Sequence, residues 1–138
     1  MARSVTLLND QEIYNKLSRS RFRARFRLAE REIAYLDRKG LAIVLRQARE
    51  LLLQRLAPAE PANDGRQTPW RGHPVFVAQH ATATCCRSCL LKWHGIAKGR
   101  ELTASELDYV VGIIGGWLDR QEGPPIRPGQ AQLPLFDD

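Results

Sequence analysis

Leu41-Ala-Ile-Val-Leu-Arg-Gln-Ala-Arg-Glu-Leu-Leu-Leu-Gln-Arg-Leu56 decides how the rest of the chain is read. Leu41, Val44, Leu45, Ala48, Leu52 and Leu56 recur at spacings of three and four, which puts them on one face of an amphipathic helix. On the N-terminal side, Ile33, Ala34 and Leu36 mark a helix from Ala29 to Lys39, stopped by Gly40 in a left-handed C′ conformation. Further upstream, Asn9 or Asp10 can cap a helix to about Ser18, with Ile13, Tyr14 and Leu17 inward. The intervening Arg19–Leu28 stretch alternates arginine with small or apolar residues, a period of two that suits an extended segment and also admits a helix.

On the C-terminal side, Pro58 and Pro61 open a long loop that continues through Thr68-Pro69 and Gly72-His73-Pro74. Val75–His94 then reads as one helix, whose inner stripe is Val77, Ala81, Cys85, Cys89 and Trp93. Gly95 and Gly99 make a turn. Thr103 and Glu106 form a capping box for a last helix that buries Leu107, Val110, Val111, Ile114, Trp117 and Leu118. The expected fold is therefore mainly α: a single compact helical domain over residues 1–122 with a long central loop, followed by a flexible Pro/Gly-rich tail over 123–138.

A chain of 138 residues that is 43% hydrophobic suits one core rather than two. It contains no apolar run of bilayer length, and its first residues lack a signal-peptide h-region, so a cytoplasmic protein without a membrane partner is expected. In that compartment Cys85, Cys86 and Cys89 stay reduced. The net charge of +6 is lopsided: residues 1–57 hold 13 Lys/Arg and 6 Asp/Glu, whereas residues 58–138 hold 8 and 9. The excess is densest at Arg19, Arg21, Arg23, Arg25, Arg27 and Arg31, interleaved with Phe22 and Phe26. Such a patch can meet nucleic-acid phosphates; equally, it can be a solvated face whose arginine stems lie over the core.

All three cysteines and all three histidines, His73, His80 and His94, fall between residues 73 and 94. Cys86-Arg-Ser-Cys89 has the spacing that brings two thiolates to one tetrahedral ion, and His80, Cys85 or His94 can complete a set for zinc. Placement inside one continuous helix argues against this, because zinc pairs usually sit on turns. On that helix the cysteines are small buried hydrophobes. A thioredoxin-like redox role lacks its strand-to-helix setting. His80 is followed by Ala81-Thr82, so the His-x-Glu of the base deaminases is missing, and the phosphate-loop, dinucleotide and zincin motifs are absent as well. A nucleophilic pair of Cys86 with His80 or His73 stays open. Trp93–Arg100 is either a plain inter-helix turn or a glycine hairpin that offers backbone N–H groups, Lys98 and Arg100 to a phosphate.

Gln132-Leu-Pro-Leu-Phe136 resembles the pentapeptide by which bacterial polymerases and repair proteins dock on the replication sliding clamp, departing from it at Pro134. The resemblance implies that Leu135 and Phe136 fill an apolar groove, that Leu133 supports them and that Gln132 provides a hydrogen bond. Separately, Arg71-Gly-His-Pro-Val-Phe-Val-Ala-Gln-His-Ala-Thr-Ala-Thr-Cys-Cys-Arg87, with Cys89-Leu90 and Lys92-Trp-His-Gly-Ile96, resembles a bacterial family known only as a domain of unknown function. Phe22-Arg23 and Arg55–Pro61 fit the same family, which implies a compact helical domain over about residues 12–120 and no particular activity. Three functions follow as expectations. One is a DNA-associated accessory protein held at the clamp; another is a small zinc- or thiol-dependent enzyme; the third is an interaction module whose cysteines are core.

Overall fold

The computed structural model describes residues 10–122; the tail with Gln132, Leu133, Leu135 and Phe136 lies outside them. The described residues form α1 (Asp10–Ser18), α2 (Arg21–Ala24), α3 (Glu30–Lys39), α4 (Leu41–Arg55), α5 (Pro74–Ala81), α6 (Arg87–His94) and α7 (Ala104–Glu122), with no strand among them. The mainly α fold class is thus the observed one.

The expected stripe of α4 is the centre of the core. Val44, Ala48 and Leu52 meet Val110, Ile114 and Leu118 of α7, and Leu36, Val75, Val77 and Leu90 close the same cluster. Burying a side chain such as Leu52 or Ile114 contributes about 1.5–3 kcal/mol, so this contact carries much of the fold's cohesion. A smaller cluster of Ile13, Leu17, Ala83 and Ile113 seats α1, and Tyr14, Cys89 and Trp93 pack against it. Ile113 therefore joins the buried face read for α7. No helix among the described residues is long and apolar enough to cross a membrane.

Local signals set most boundaries. Gly40 has the positive φ expected of it, 85°, but its ψ of 151° is extended rather than left-handed helical, so one residue ends α3 and turns the chain directly into α4. Thr103 and Glu106 make both bonds of the capping box, at 3.0 and 2.9 Å. Between Ala24 and Glu30 the chain is irregular; only α2 in that arginine-rich stretch is helical.

The single helix expected over Val75–His94 is not formed. Instead α5 ends at Ala81, Ala83 adopts a φ of 61°, and helix resumes only at Arg87. The cause is partly local: the Thr82 hydroxyl bonds back to the Ala78 carbonyl at 2.7 Å, competing with helix continuation. It is also tertiary, because the buried Arg87 guanidinium donates to the carbonyls of Leu56, Ala57, Pro58, Ala97 and Arg100. Those bonds hold the start of the central loop and the turn after α6 against the α6 N-terminus. At the loop's other end, buried Glu32 accepts from Ala29 N (2.6 Å), Arg71 (2.9 Å) and Gly72 N (3.2 Å).

Two glycines of α7 test this packing. A Cβ at Gly112 would meet nothing within 4 Å, whereas one at Gly116 would collide with the Tyr14 hydroxyl, which donates to the Ile113 carbonyl at 2.6 Å. We expect Gly112→Ala to stabilise the protein by up to about 1 kcal/mol, the helix-propensity gain. Gly116→Ala should destabilise it by about 1–3 kcal/mol as α1 is pushed off. Urea unfolding measures both; equal shifts would contradict the seating of α1.

Candidate metal centre

The break between α5 and α6 builds the site. A non-glycine residue at positive φ costs about 1–2 kcal/mol, and Ala83 is held there by a closed set of bonds. Thr84 N donates to the Gln79 carbonyl (2.8 Å), Gln79 Nε2 donates to the Thr84 carbonyl (2.9 Å), and the Thr82 and Thr84 hydroxyls meet at 3.0 Å. His94 supports the corner from α6: its Nε2 donates to the Thr82 carbonyl (2.8 Å), which leaves Nδ1 to accept from the Tyr109 hydroxyl (2.8 Å).

Immediately past this corner come the cysteines. Cys85 is fixed through its carbonyl, which accepts from the Thr68 hydroxyl at 2.8 Å. Cys86 is the extended N-cap residue of α6, and Cys89 lies in that helix's first turn. The three sulfurs all lie within 4.8 Å of one another, and the Cys85 and Cys89 sulfurs are 3.7 Å apart. The sequence objection to a metal, that the pair sits inside a helix, therefore falls away. Cys86 and Cys89 straddle a turn-to-helix junction, and the helix N-terminus there favours negative charge.

Arg23 completes the group. Ser20 caps α2 by accepting from Arg23 N at 3.1 Å, and the Arg23 side chain, 9% exposed, runs inward. One terminal nitrogen donates to the His80 carbonyl (2.7 Å) and approaches the Cys85 sulfur (3.8 Å); the other donates to the Cys89 sulfur (3.2 Å). Hydrogen bonds from the Cys85 and Cys86 thiols, joined by Arg23, hold Cys89 well below the ordinary thiol range. Cys85 is pushed up, first by its bonds to Cys86 and Cys89 and then by burial. The geometry runs the same way, with the Cys85 thiol 3.7 Å and an Arg23 nitrogen 3.2 Å from the Cys89 sulfur.

The other residues singled out from sequence go elsewhere. His80 Nε2 meets the carbonyls of Thr68 (3.1 Å) and Pro69 (3.2 Å), and both nitrogens of His94 are engaged at the corner, so neither ring joins the sulfurs. His73 caps α5, its Nδ1 accepting from Val75 N at 3.1 Å and its Nε2 bonding Gln47 at 3.0 Å. Arg19, Arg21, Arg25 and Arg27 are exposed. Lys98 donates to Ser88 (2.9 Å), and Arg100 makes a two-pronged pair with Glu106, both bonds at 2.7 Å. Sequence reasoning missed the inward course of Arg23, which an alternating arginine pattern does not distinguish from its neighbours, and it missed Trp70, whose exposed ring stacks on His80 at 4.0 Å. The Trp-Arg-Gly-His between Pro69 and Pro74 was the available signal for Trp70, since a bulky aromatic in a polar loop needs a reason to be there.

These features define a helical domain whose three clustered thiols, backed by a buried guanidinium, can hold a metal ion. Residues 11–119 match the family described as Domain of unknown function (DUF4186), and the chain belongs to that family. No solved structure matches the chain.

The corner is sensitive to acid. Burial holds His94 down to about 4, with Lys16 and Arg23 adding to the effect and the Thr82 carbonyl opposing it. A folded pKa below the unfolded value of about 6.5 means this contribution to stability is full above that value and is lost as pH falls toward 4. His73 and His80 are lowered by burial too, with the same sign. We expect unfolding free energy to drop by about 2–3 kcal/mol between pH 7.5 and 4.5. His94→Gln should start weaker and lose less, and a flat wild-type profile would refute a neutral His94.

Proposed function

We propose that Cys85, Cys86 and Cys89 hold one zinc ion, with Arg23 as the outer cation, and that the protein acts as a small zinc-thiolate protein. The observation that carries this reading is the clustering of three sulfurs within 4.8 Å of one another, two of them against one buried guanidinium. At Zn–S distances of about 2.3 Å the sulfurs of a tetrahedral site stand about 3.8 Å apart. The Cys85–Cys89 separation of 3.7 Å already meets that length, and the other two pairs need contract by at most about 1 Å. Three thiolates, a divalent ion and Arg23 sum to zero net charge, which a buried site requires. Arg23 N–H groups on two of the sulfurs are the outer-shell bonds that orient metal-ligating thiolates.

With His80 and His94 bonded elsewhere, the fourth position falls to a water or another exogenous ligand. Three protein ligands with an exchangeable fourth is the composition of zinc sites that act on bound molecules, and it favours the enzymatic form of the reading. We expect about one zinc per chain in protein purified without chelator, lost in Cys86→Ser and Cys89→Ser. Arg23→Ala should weaken zinc by about 10- to 100-fold in competition with a chromophoric chelator. A folded, reduced chain that takes up no stoichiometric zinc would end this reading.

A second reading concerns location: a cytoplasmic accessory protein of bacterial DNA replication or repair, docked on the sliding clamp through Gln132, Leu133, Leu135 and Phe136. What favours DNA contact is that Arg19, Arg21, Arg25 and Arg27 are all exposed around α2. Their affinity for phosphates would be salt-sensitive and tolerant of sequence. We expect the full chain to be retained on immobilised clamp and Leu135→Ala/Phe136→Ala to be lost from it; retention of the double variant would discard the docking role.

A further inference from the structure

We infer that the exposed ring of Trp70, with Phe22 beside it, is a stacking platform for the bases of single-stranded DNA whose phosphates lie on the surrounding arginines; this rests on the DNA-associated reading above. Trp70 is 59% exposed and Phe22 41%, although both are large apolar rings. One face of the Trp70 indole is covered by the His80 imidazole, at 4.0 Å between ring centres and 17° between planes, so the solvent-facing area belongs mainly to the other face. Phe22 stands edge-on to Trp70 at 6.4 Å, and Phe26 lies parallel to it within 2° at 6.1 Å. The patch is thus a small cluster of aromatic rings rather than one stray side chain.

Its rim is cationic. Arg21, Arg25 and Arg27 are exposed along the same stretch as Phe22 and Phe26, and the Arg25 guanidinium sits over the Phe22 ring at 5.3 Å. Arg71, next to Trp70 in the chain, donates to the Arg27 carbonyl at 3.0 Å and neutralises the nearby Glu32. Beyond it Arg31 and Arg38 line a cleft that also contains Glu30. The platform is also held in place: His80 donates to the carbonyls of Thr68 and Pro69, the two residues before Trp70. Little ordering is then needed on binding.

Aromatic faces and guanidinium groups together are complementary to an unpaired strand. A duplex keeps the faces of its bases covered by their neighbours, whereas a single strand offers a ring to Trp70 and phosphates to the arginines at once. An acidic protein segment would satisfy the arginines and leave the indole face without a planar partner.

The test is fluorescence anisotropy of the full chain with a labelled oligothymidylate of about twenty nucleotides, ample for one binding site. We expect Trp70→Ala and Trp70→Leu to weaken binding by about tenfold or more and Trp70→Phe to retain most of it, with the salt dependence unchanged in all three. Replacing Arg21, Arg25 and Arg27 by Ala should instead flatten the salt dependence. Circular dichroism confirms that each variant is folded, and the Leu variant keeps an apolar side chain there while removing the aromatic face. Undiminished binding by both the Ala and Leu variants overturns the platform, as does tighter binding of a blunt hairpin duplex or of oligouridylate. If wild-type protein binds none of these probes, the DNA reading itself fails; salt-dependent binding that ignores Trp70 overturns the platform alone.

Discussion

The hydrogen bond from His94 to the Thr82 carbonyl, 2.8 Å across the α5–α6 corner, is the interaction on which the site depends. Without a donor for that carbonyl, a buried backbone group would be left unsatisfied at the point where helix bonding stops, a cost of about 1–3 kcal/mol. With it, the chain can leave α5 at Thr82, pass through a strained Ala83 and re-enter helix at Arg87. Only this detour brings Cys85, Cys86 and Cys89 together around a helix N-terminus. Strain at Ala83 is sustained because the bonds around it over-determine the conformation.

Two buried arginines show how the fold handles charge. Arg87 is 1% exposed and distributes its guanidinium over five backbone carbonyls, with Nε alone unpartnered. Such a shell of dipoles replaces water around a cation whose task is structural. Arg23 is placed differently. It has one carbonyl, that of His80, and otherwise faces the Cys85 and Cys89 sulfurs and the Phe22 and Trp93 rings, with no carboxylate among the described residues bonded to it. A buried cation aimed at soft nucleophilic atoms is a costly arrangement for mere packing, and it suits a Cys cluster that could hold a metal ion.

Legibility in the sequence tracked how local the deciding physics was. The stripe from Leu41 to Leu56, the stop at Gly40 and the Thr103–Glu106 box all depend on residues within a few positions of one another, and each was readable. The break after Ala81 was not, because much of what enforces it lies at Arg87 and His94, whose partners are remote in sequence. A run of Ala-Thr-Ala-Thr is indifferent helix material, and periodicity alone carried the stripe through it. The clustering of Cys and His was visible at once, yet composition could not show that the histidines would serve as structural donors while an arginine some sixty residues upstream faced the sulfurs. Placement of Arg23 is a tertiary fact; Arg21 and Arg25 carry the same side chain in the same alternating pattern and point outward.

The thiol group and the aromatic face are neighbours linked through few atoms. Thr68 donates its hydroxyl to the Cys85 carbonyl and, through its own carbonyl, accepts from His80; His80 in turn carries Trp70 on its ring and gives its backbone carbonyl to Arg23. The Cys85 and Cys89 sulfurs already stand 3.7 Å apart, so closing the group around an ion asks for movement mainly of Cys86, which is bonded to neither Thr68 nor His80 in this chain of contacts. Thr68 and His80 thus serve two neighbours at once: the bonds that fix Cys85 and Arg23 also hold the segment that carries Trp70.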